Sequence, residues 1–520
     1  RFELLNADLV SRIEVVRGPQ SALWGSQAIG GVIAVNGVAD APGLAASAEA
    51  GSFGLLRGSA AAALRTDQAS LAGAVGWQSA SGIDSFQGGG DKDAYRNLSA
   101  RVRGTYRLSP SIELGAAAFA LTGRAQFDGY DPISFERADT LDNSRNKLAA
   151  GRLWASLGGE DSTWKGRLGV SLIGSSNRNF LDDDPLNRTK GSRLALDAQA
   201  EHSFSTGKVE HRLILAGDAE RETFDARDTV FGGFTNQDRS RSHQAATVQW
   251  RGSAGPLNAD LAVRHDMFNR FKDATSLRAS LLAELGRGFA LAGSYAEGIA
   301  QPTFFDLYGF FPNNFVGNPS LKPESSRGFE GSLRFRRARL SASLTAYRQL
   351  LHDEIVDVFD PVTFLSSTEN RDGKSRRWGI EAELGWRPSE ALRLSANYAY
   401  LEASQPDAAT DARLEELRRP RHSGSVAADG RLGRFSYGAS LAYVGSHLDR
   451  QELFPFGIVR LDSYWLAAAR VAYDVTPSVQ LYLRGDNLLD ADYEDSADYR
   501  TEGRGLFAGI RLTADRGSSP

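Results

Sequence analysis

From about residue 44 onward the chain is a succession of segments, each roughly eight to twelve residues long, in which apolar and polar side chains alternate with period two. That spacing belongs to a β-strand with two unlike faces. In "ALRLSANYAYLE", residues 391 to 402, Leu392, Leu394, Ala396, Tyr398 and Tyr400 fall on one side, with Arg393, Ser395 and Asn397 on the other. The split recurs in 97 to 108, where Leu98, Ala100, Val102 and Tyr106 oppose Asn97, Ser99, Arg101, Arg103 and Thr105, and again in "LSASLTAY", 340 to 347. Aromatic pairs such as Tyr398 and Tyr400, Phe435 and Tyr437, and Tyr464 and Trp465 sit near segment ends, as in the girdles of a bilayer interface. Soluble sandwiches and propellers also alternate, so the connections have to separate the two architectures.

Very short connections fall at 65–68, 108–111, 158–162, 205–208, 252–258, 286–288, 336–339, 388–391, 430–434 and 475–478. Between them lie long polar stretches around 79–95, 123–147, 176–192, 222–242, 299–326, 350–375, 403–420, 447–461 and 489–503. Short turns alternating with long loops are the pattern of an outer-membrane barrel, with turns on the periplasmic side and loops outside. Ten such turns join twenty strands, and one terminal strand at each end makes an all-β, antiparallel transmembrane barrel of about 22 strands. A barrel that wide needs its lumen filled. No repeat of 40 to 50 residues with a constant motif supports a propeller.

Composition removes other classes. No run approaches the roughly 18 to 20 apolar residues of a spanning helix. The 60 basic and 64 acidic residues are interspersed, so no nucleic-acid surface is expected. With no Cys there is neither a disulfide scaffold nor a thiolate metal site. The residues His202, His211, His243, His265, His352, His422 and His447 form no Ser/His/Asp arrangement, and no enzyme is expected.

Ahead of the barrel stands "RIEVVRGPQSALWGSQAIGGVIAVNG", 12 to 37. Two β-branched runs flank a turn-rich centre, where Gly18, Pro19, Gly25, Gly30 and Gly31 supply backbone shapes that other residues reach only with strain. The spacing fits neither GxGxxG nor GxxxxGK[ST], so the unit is not a phosphate loop.

The whole chain resembles the TonB-dependent outer-membrane receptors. The opening unit is similar to the end of their plug domain, 297 to 335 to a mid-barrel signature, and 483 to 512 to a C-terminal one. The resemblance implies a plug remnant over 1–38, a barrel over 44–513 and a short tail over 514–520; "TADRGSSP" follows Leu512 where family barrels usually finish on an aromatic. It also implies that an earlier plug segment, a TonB-binding box and a signal peptide precede Arg1. Expected partners are the TonB-ExbB-ExbD complex and outer-membrane lipid of a Gram-negative bacterium, with the receptor a monomer.

Alternation sends Phe329, Gly331, Leu333 and Phe335 outward and Glu330 inward; likewise Ile380, Ala382, Leu384 and Trp386 face lipid while Glu381 and Glu383 face the lumen. The resemblance adds that Arg17, in the RGP turn, pairs with Glu330 and Glu381. In the loops, Asp128, Asp131, Asp139 and Asp142, with Asp182, Asp183 and Asp184, are hard oxygen ligands suited to calcium, although an exposed acidic loop is the commoner explanation and the spacing is not that of an EF-hand. Phe304, Phe305, Tyr308, Phe310, Phe311 and Phe315 either contact a ligand or pack their own loop.

The loop layout looks most like the cobalamin-receptor branch. The expected function is therefore energy-coupled import of cobalamin or another corrinoid, with a ferric siderophore as the alternative cargo. A passive porin is the alternative from another class, and the plug segment argues against it.

Overall fold

The computed structural model describes residues 4–37, 43–86, 89–131, 137–230, 232–234, 236–311, 315–360, 362–363, 365–407, 410, 412–451, 453 and 455–514, without the side chains of Phe310 and Phe311. One antiparallel sheet closes on itself. It runs from Gly43–Gly51 to Gly505–Ala514, and these two strands pair with each other from Leu44 opposite Ala514 to Gly51 opposite Phe507. Setting aside the three-residue strand Arg413–Glu415, which extends the top of Leu392–Pro406, the barrel has 22 strands. Each of the ten short connections is a turn between paired strands, which is why the count follows from the turns.

The outer surface is apolar and the lumen polar. On the strand Lys374–Ser389 the outward residues Trp386, Leu384, Ile380 and Trp378 are 47%, 48%, 39% and 41% exposed. From Trp386 to Trp378 is about 26 Å along a strand, or roughly 20 Å of height at the usual tilt, which is close to a bilayer's apolar band. Aromatic girdles mark both edges. On the turn side Trp164 stacks on His202 at 4.1 Å and Phe204 on His211 at 4.8 Å. On the loop side Tyr295 lies 4.9 Å from Phe329, and Tyr443 4.7 Å from Trp465. No helix is long and apolar enough to cross a membrane.

Two of the expected long loops are sheet instead. The strands Trp164–Leu181 and Asp184–Thr206 meet at a two-residue turn, Asp182 and Asp183, with φ of +46° and +66°. Positive φ at both central residues is the turn that matches the twist of a hairpin. The stretch 176–192 is therefore a ribbon standing above the membrane. Around 222–242 the strands Val209–Asp228 and Gln237–Ala254 leave only 229–236 outside. Alternation fails as a signal there because both faces of such a ribbon are wet. Two further loop-side connections, 52–54 and 269–273, are too short to stand out as loops.

Of the expected divisions, the plug stretch 1–38 includes residues 1–3 and 38, which lie outside the described residues, as do 515–520 of the tail. The last strand continues through Ala514.

Candidate functional site: the seam between plug and wall

Inside the barrel the opening unit is a hairpin. Arg12–Arg17 pairs with Gly31–Asn36, from Arg12 opposite Asn36 to Arg17 opposite Gly31. Gly31 has φ +147°, and a Cβ there would lie 2.5 Å from the Val16 carbonyl, so only glycine closes this pair. Gly18 and Pro19 leave the first strand, and Gly30 leads into the second. Between them the turn of helix Ser21–Trp24 carries the fully buried Ser21 and Ala22 and stops at Gly25, whose φ is +83°.

That helix lies where the wall is incomplete. The strand Phe289–Ala300 pairs along its whole length with Glu324–Arg337, but its other neighbour, Ala274–Gly286, pairs with it only as far as Arg278 opposite Ala296. Beyond that point one edge of Phe289–Ala300 has no strand beside it, and buried backbone groups there need partners. The plug supplies them. The Ile299 N–H donates to the Ser21 hydroxyl (2.9 Å), which donates in turn to the Ile299 carbonyl (3.3 Å). That carbonyl also accepts from the Gln27 N–H at 2.8 Å. Gln27 Nε2 donates to the Gln301 carbonyl (3.3 Å), and Gln301 Nε2 to the Ser26 hydroxyl (3.2 Å).

On the neighbouring strands, Ser326 Oγ and Gln349 Nε2 both donate to the Ile29 carbonyl, at 2.9 and 3.0 Å. The wall opposite holds the earlier part of the chain, with Asn97 Nδ2 donating to the Leu4 carbonyl at 2.8 Å and Arg57 lying 3.8 Å from Asp8. Approach is close enough to demand glycine in the wall. A Cβ on Gly298 would sit 2.9 Å from Ile29 Cα and 3.1 Å from the Ala28 carbonyl, and one on Gly328 would meet Pro19 Cδ at 2.8 Å.

Arg17 forms an ion pair with Glu381 and lies 3.6 Å from Glu383. Glu330, expected as its second partner, faces the same cavity of about 1440 Å³ but makes no ion pair with Arg17. The reason is lateral distance. Glu381 and Glu383 occupy one strand, whereas Glu330 is two strands away, about 9.6 Å across the sheet.

Behind the plug helix stands a charge network that sequence reading did not single out. Arg264 is 5% exposed and holds Asp218 through two hydrogen bonds, 2.6 and 2.9 Å, and Asp266 through a third of 2.9 Å. Asp266, fully buried, also contacts His243 Nε2 at 2.7 Å. The Arg264 guanidinium lies 3.3 Å from where a Gly25 Cβ would be, so the network backs the plug helix directly. The alternation of "LAVRHDMF" marks Arg264 and Asp266 as inward. Their partners come from neighbouring strands and need a register to be seen.

Of the expected loop carboxylates, Asp128 and Asp139 come together with Asp84, their ligand atoms within 4.8 Å of one another. Such a set could hold a divalent cation. Burial, and then the charges of Asp93, Asp139 and Asp84, push the Asp128 carboxyl up to about 6. A hydrogen bond to Asp139, with burial and neighbouring charge, raises Asp91 to about 6. Asp131 is outside the trio. Asp142 accepts the Asp182 N–H at 3.0 Å, and burial raises its pKa. Asp182 accepts the Leu141 N–H (3.1 Å) and Asp183 accepts from Asn143 (2.8 Å), so these residues tie hairpin to loop; Asp184 begins a strand.

The loop aromatics pack against protein. Phe304 stacks on Phe224 at 5.5 Å, beneath the Arg241 guanidinium at 4.8 Å. Phe305 stacks on the buried Phe315 at 4.8 Å and remains 44% exposed. Tyr308 lies under Arg239 and Arg270, at 4.7 and 5.2 Å. Phe310 and Phe311 pair through their backbones with Val316 and Phe315, and their side chains lie outside the described residues.

Comparison with known proteins places this geometry. The model of a TonB dependent receptor-like β-barrel matches residues 50–488, and that of the TonB-dependent receptor plug domain matches residues 1–32. The chain is similar in structure to the siderophore receptor PirA from Acinetobacter baumannii, with a TM-score of 0.78 and 17% identity, covering 98% of this chain and 86% of that one. It is similar to a mutant of the ferric enterobactin receptor PfeA from Pseudomonas aeruginosa in complex with enterobactin, with a TM-score of 0.80 and 16% identity over 98% and 87% of the two chains. It is also similar to a double mutant of the Serratia marcescens hemophore receptor HasR in complex with its hemophore HasA and heme, with a TM-score of 0.80 and 15% identity over 98% and 87%. At these identities the likeness speaks for the fold alone.

Proposed function

We propose, from the premise that this chain belongs to the TonB-dependent receptor family, that it imports an iron chelate, a ferric siderophore, across the outer membrane of a Gram-negative bacterium. The family is one of receptors and transporters, not enzymes. The observation that carries the import reading is the seam. A plug whose side chains and backbone complete the hydrogen bonding of the wall suits a gated lumen rather than an open pore. Energy for opening would come from the TonB-ExbB-ExbD complex acting on the plug.

Two considerations move the cargo from a corrinoid to a ferric chelate. Solved structures similar to this chain include a siderophore receptor, a ferric enterobactin receptor and a hemophore receptor in complex with its hemophore and heme. Cation–aromatic pairs on the loop side also suit a ring-bearing anion: Arg137 over Tyr499 at 4.5 Å, and Arg239 over Tyr308 at 4.7 Å.

Equilibrium binding of a ferric tris-catecholate and of cyanocobalamin to the purified receptor tests the cargo, paired with uptake in cells with and without TonB. Micromolar or tighter binding of the ferric ligand alone, and uptake lost without TonB, is the expected result. Binding of cyanocobalamin alone would return the corrinoid to first place.

A further inference from the structure

Across six adjacent strands, one cross-strand row is made entirely of arginine. Arg96 lies opposite Arg124, Arg124 opposite Arg145, Arg145 opposite Arg178, Arg178 opposite Arg188, and Arg188 opposite Arg227. The row faces away from the lumen. On the same six strands the residues of like parity include Leu98, Leu114, Leu153, Leu172, Leu194 and Leu215, which are 44% to 60% exposed. It sits at the strand ends away from the short turns, so it belongs to the extracellular rim.

Like charges directly opposed on neighbouring strands destabilise a sheet. Here five successive pairs are opposed in that way, with little internal compensation. Arg124 reaches Asp183 at 3.0 Å, and Asp225 serves both Arg188 (3.2 Å) and Arg227 (2.6 Å). Among the described residues Arg96, Arg145 and Arg178 have no ion pair, and Arg145 lies over Phe180 at 4.2 Å. One step nearer the membrane the next outward row adds Lys147 and Lys190, on either side of Ser176. The far wall of the barrel has the ordinary mixture, with Glu297, Arg327, Leu350, Arg376, Ser404 and Glu415 in one row.

Two rows below the arginines, beyond Lys147 and Lys190, the outward side chains are small. Ala100, Ala120, Ala149, Gly174 and Ser192 lie opposite one another there and, with Val102 and Leu172 beside them, line an apolar hollow of about 630 Å³ on the lipid side. A cationic shelf above an apolar groove is complementary to one kind of molecule. Guanidinium groups bind phosphate through paired hydrogen bonds, and a row spanning five strand spacings, about 24 Å, is wider than a single phosphate.

We propose that this face binds an outer-leaflet lipid whose headgroup carries two or more phosphates, with an acyl chain in the alanine and glycine groove. The site lies on the outer face of the wall, away from the plug, and its upper part is the ribbon that carries Arg178 and Arg188. It rests on the barrel spanning a membrane and not on the identity of the cargo.

Native mass spectrometry of the purified receptor in detergent tests it, with bisphosphorylated lipid A, phosphatidylcholine and inorganic phosphate as probes. The expected result is selective retention of lipid A, with a tenfold or larger loss in the combined variant Arg96→Gln, Arg145→Gln, Arg178→Gln. The pair Arg348→Gln, Arg376→Gln on the far wall should bind as the parent does. These arginines hold no carboxylate, so the triple variant should fold. The corresponding triple Lys variant, keeping the charge, should bind within a few-fold of the parent. Unchanged lipid A binding by the Gln variant would overturn the proposal, as would equal retention of phosphatidylcholine. Displacement of lipid A by millimolar inorganic phosphate would replace it with a site for free anions.

Discussion

Gly298 gives the sharpest test of the seam, because it lies on the lumen side of a strand whose outward glycine, Gly293, provides a control. A Cβ at 298 would sit 2.9 Å from Ile29 Cα, 2.9 Å from Ser326 Oγ and 3.1 Å from the Ala28 carbonyl, whereas at 293 its nearest neighbour is the Glu330 carbonyl at 3.8 Å. The serine hydroxyl can rotate away, but the two backbone contacts cannot yield without moving the plug. Overpacking of this kind costs about 1–3 kcal/mol. If Ile29 withdraws, its carbonyl also loses the bonds from Ser326 and Gln349, each worth about 0.5–1 kcal/mol net. Gly298→Val should therefore unseat the plug by about 2–5 kcal/mol, a shift of roughly 30-fold or more in the docked population.

The native chain has no cysteine, so one introduced at Ala22, which is 0% exposed, reports undocking through its reaction with a thiol reagent. Gly298→Val should raise that labelling rate at least 30-fold over the Ala22→Cys parent, and Gly293→Val should leave it within a factor of about three. Equal rates in the two valine variants would refute the claim that residues 26–29 are wedged against this strand.

Removing the Arg264 side chain as Arg264→Leu leaves Asp218 without its cation and the buried Asp266 with His243 alone, a loss of about 3 kcal/mol, and should lower the denaturant midpoint of the barrel. Arg17 is more than half exposed, so Arg17→Ala should cost only about 1 kcal/mol; by the same labelling assay Glu381→Gln should follow it, and Glu330→Gln should have no effect. The loops should respond to pH through Asp128. Its carboxyl is raised to about 6 when folded, so its contribution is fully present below roughly pH 4 and is lost as pH rises through about 6. Amides at 84–93 and 128–142 should then exchange faster near pH 7.5 than near pH 5 after correction for the intrinsic rate. Millimolar calcium should restore protection at the higher pH only, and exchange indifferent to pH and calcium would argue against a shared site at Asp84, Asp128 and Asp139.

The barrel was legible in the sequence wherever a bilayer enforces a difference between the two faces of a strand. Leu392 to Tyr400 can be sorted by eye because a polar residue on the outer face is costly there. Where the same strands rise above the membrane the rule lapses, and 176–192, a paired ribbon, reads as a loop. Alternation also tells which way a side chain points but not how far it stands from another. Alternation sends Glu330, Glu381 and Glu383 inward and all three line the lumen cavity, yet only register and strand order pick out Glu383 beside Arg17. Asp84 was missed for a related reason. It joins Asp128 and Asp139 from a different loop, about 44 residues earlier in the chain, and no local pattern links them.

The seam explains how one lumen can be both closed and openable. Packing the plug through a large apolar surface would make its removal expensive at every step, since each square ångström exposed to water carries its own penalty. Here the contacts are mostly individual hydrogen bonds between Ser21, Ser26, Gln27 and Ile29 on one side and Ile299, Gln301, Ser326 and Gln349 on the other. Each contributes about 0.5–1.5 kcal/mol net, because water can take its place once the segment moves. Water reaches these groups from the lumen and never from the lipid side, so the free edge at Ile299 is tolerable when the plug leaves. A pull that begins at one end meets these bonds in sequence, so the largest single step stays small while the docked total remains several kcal/mol.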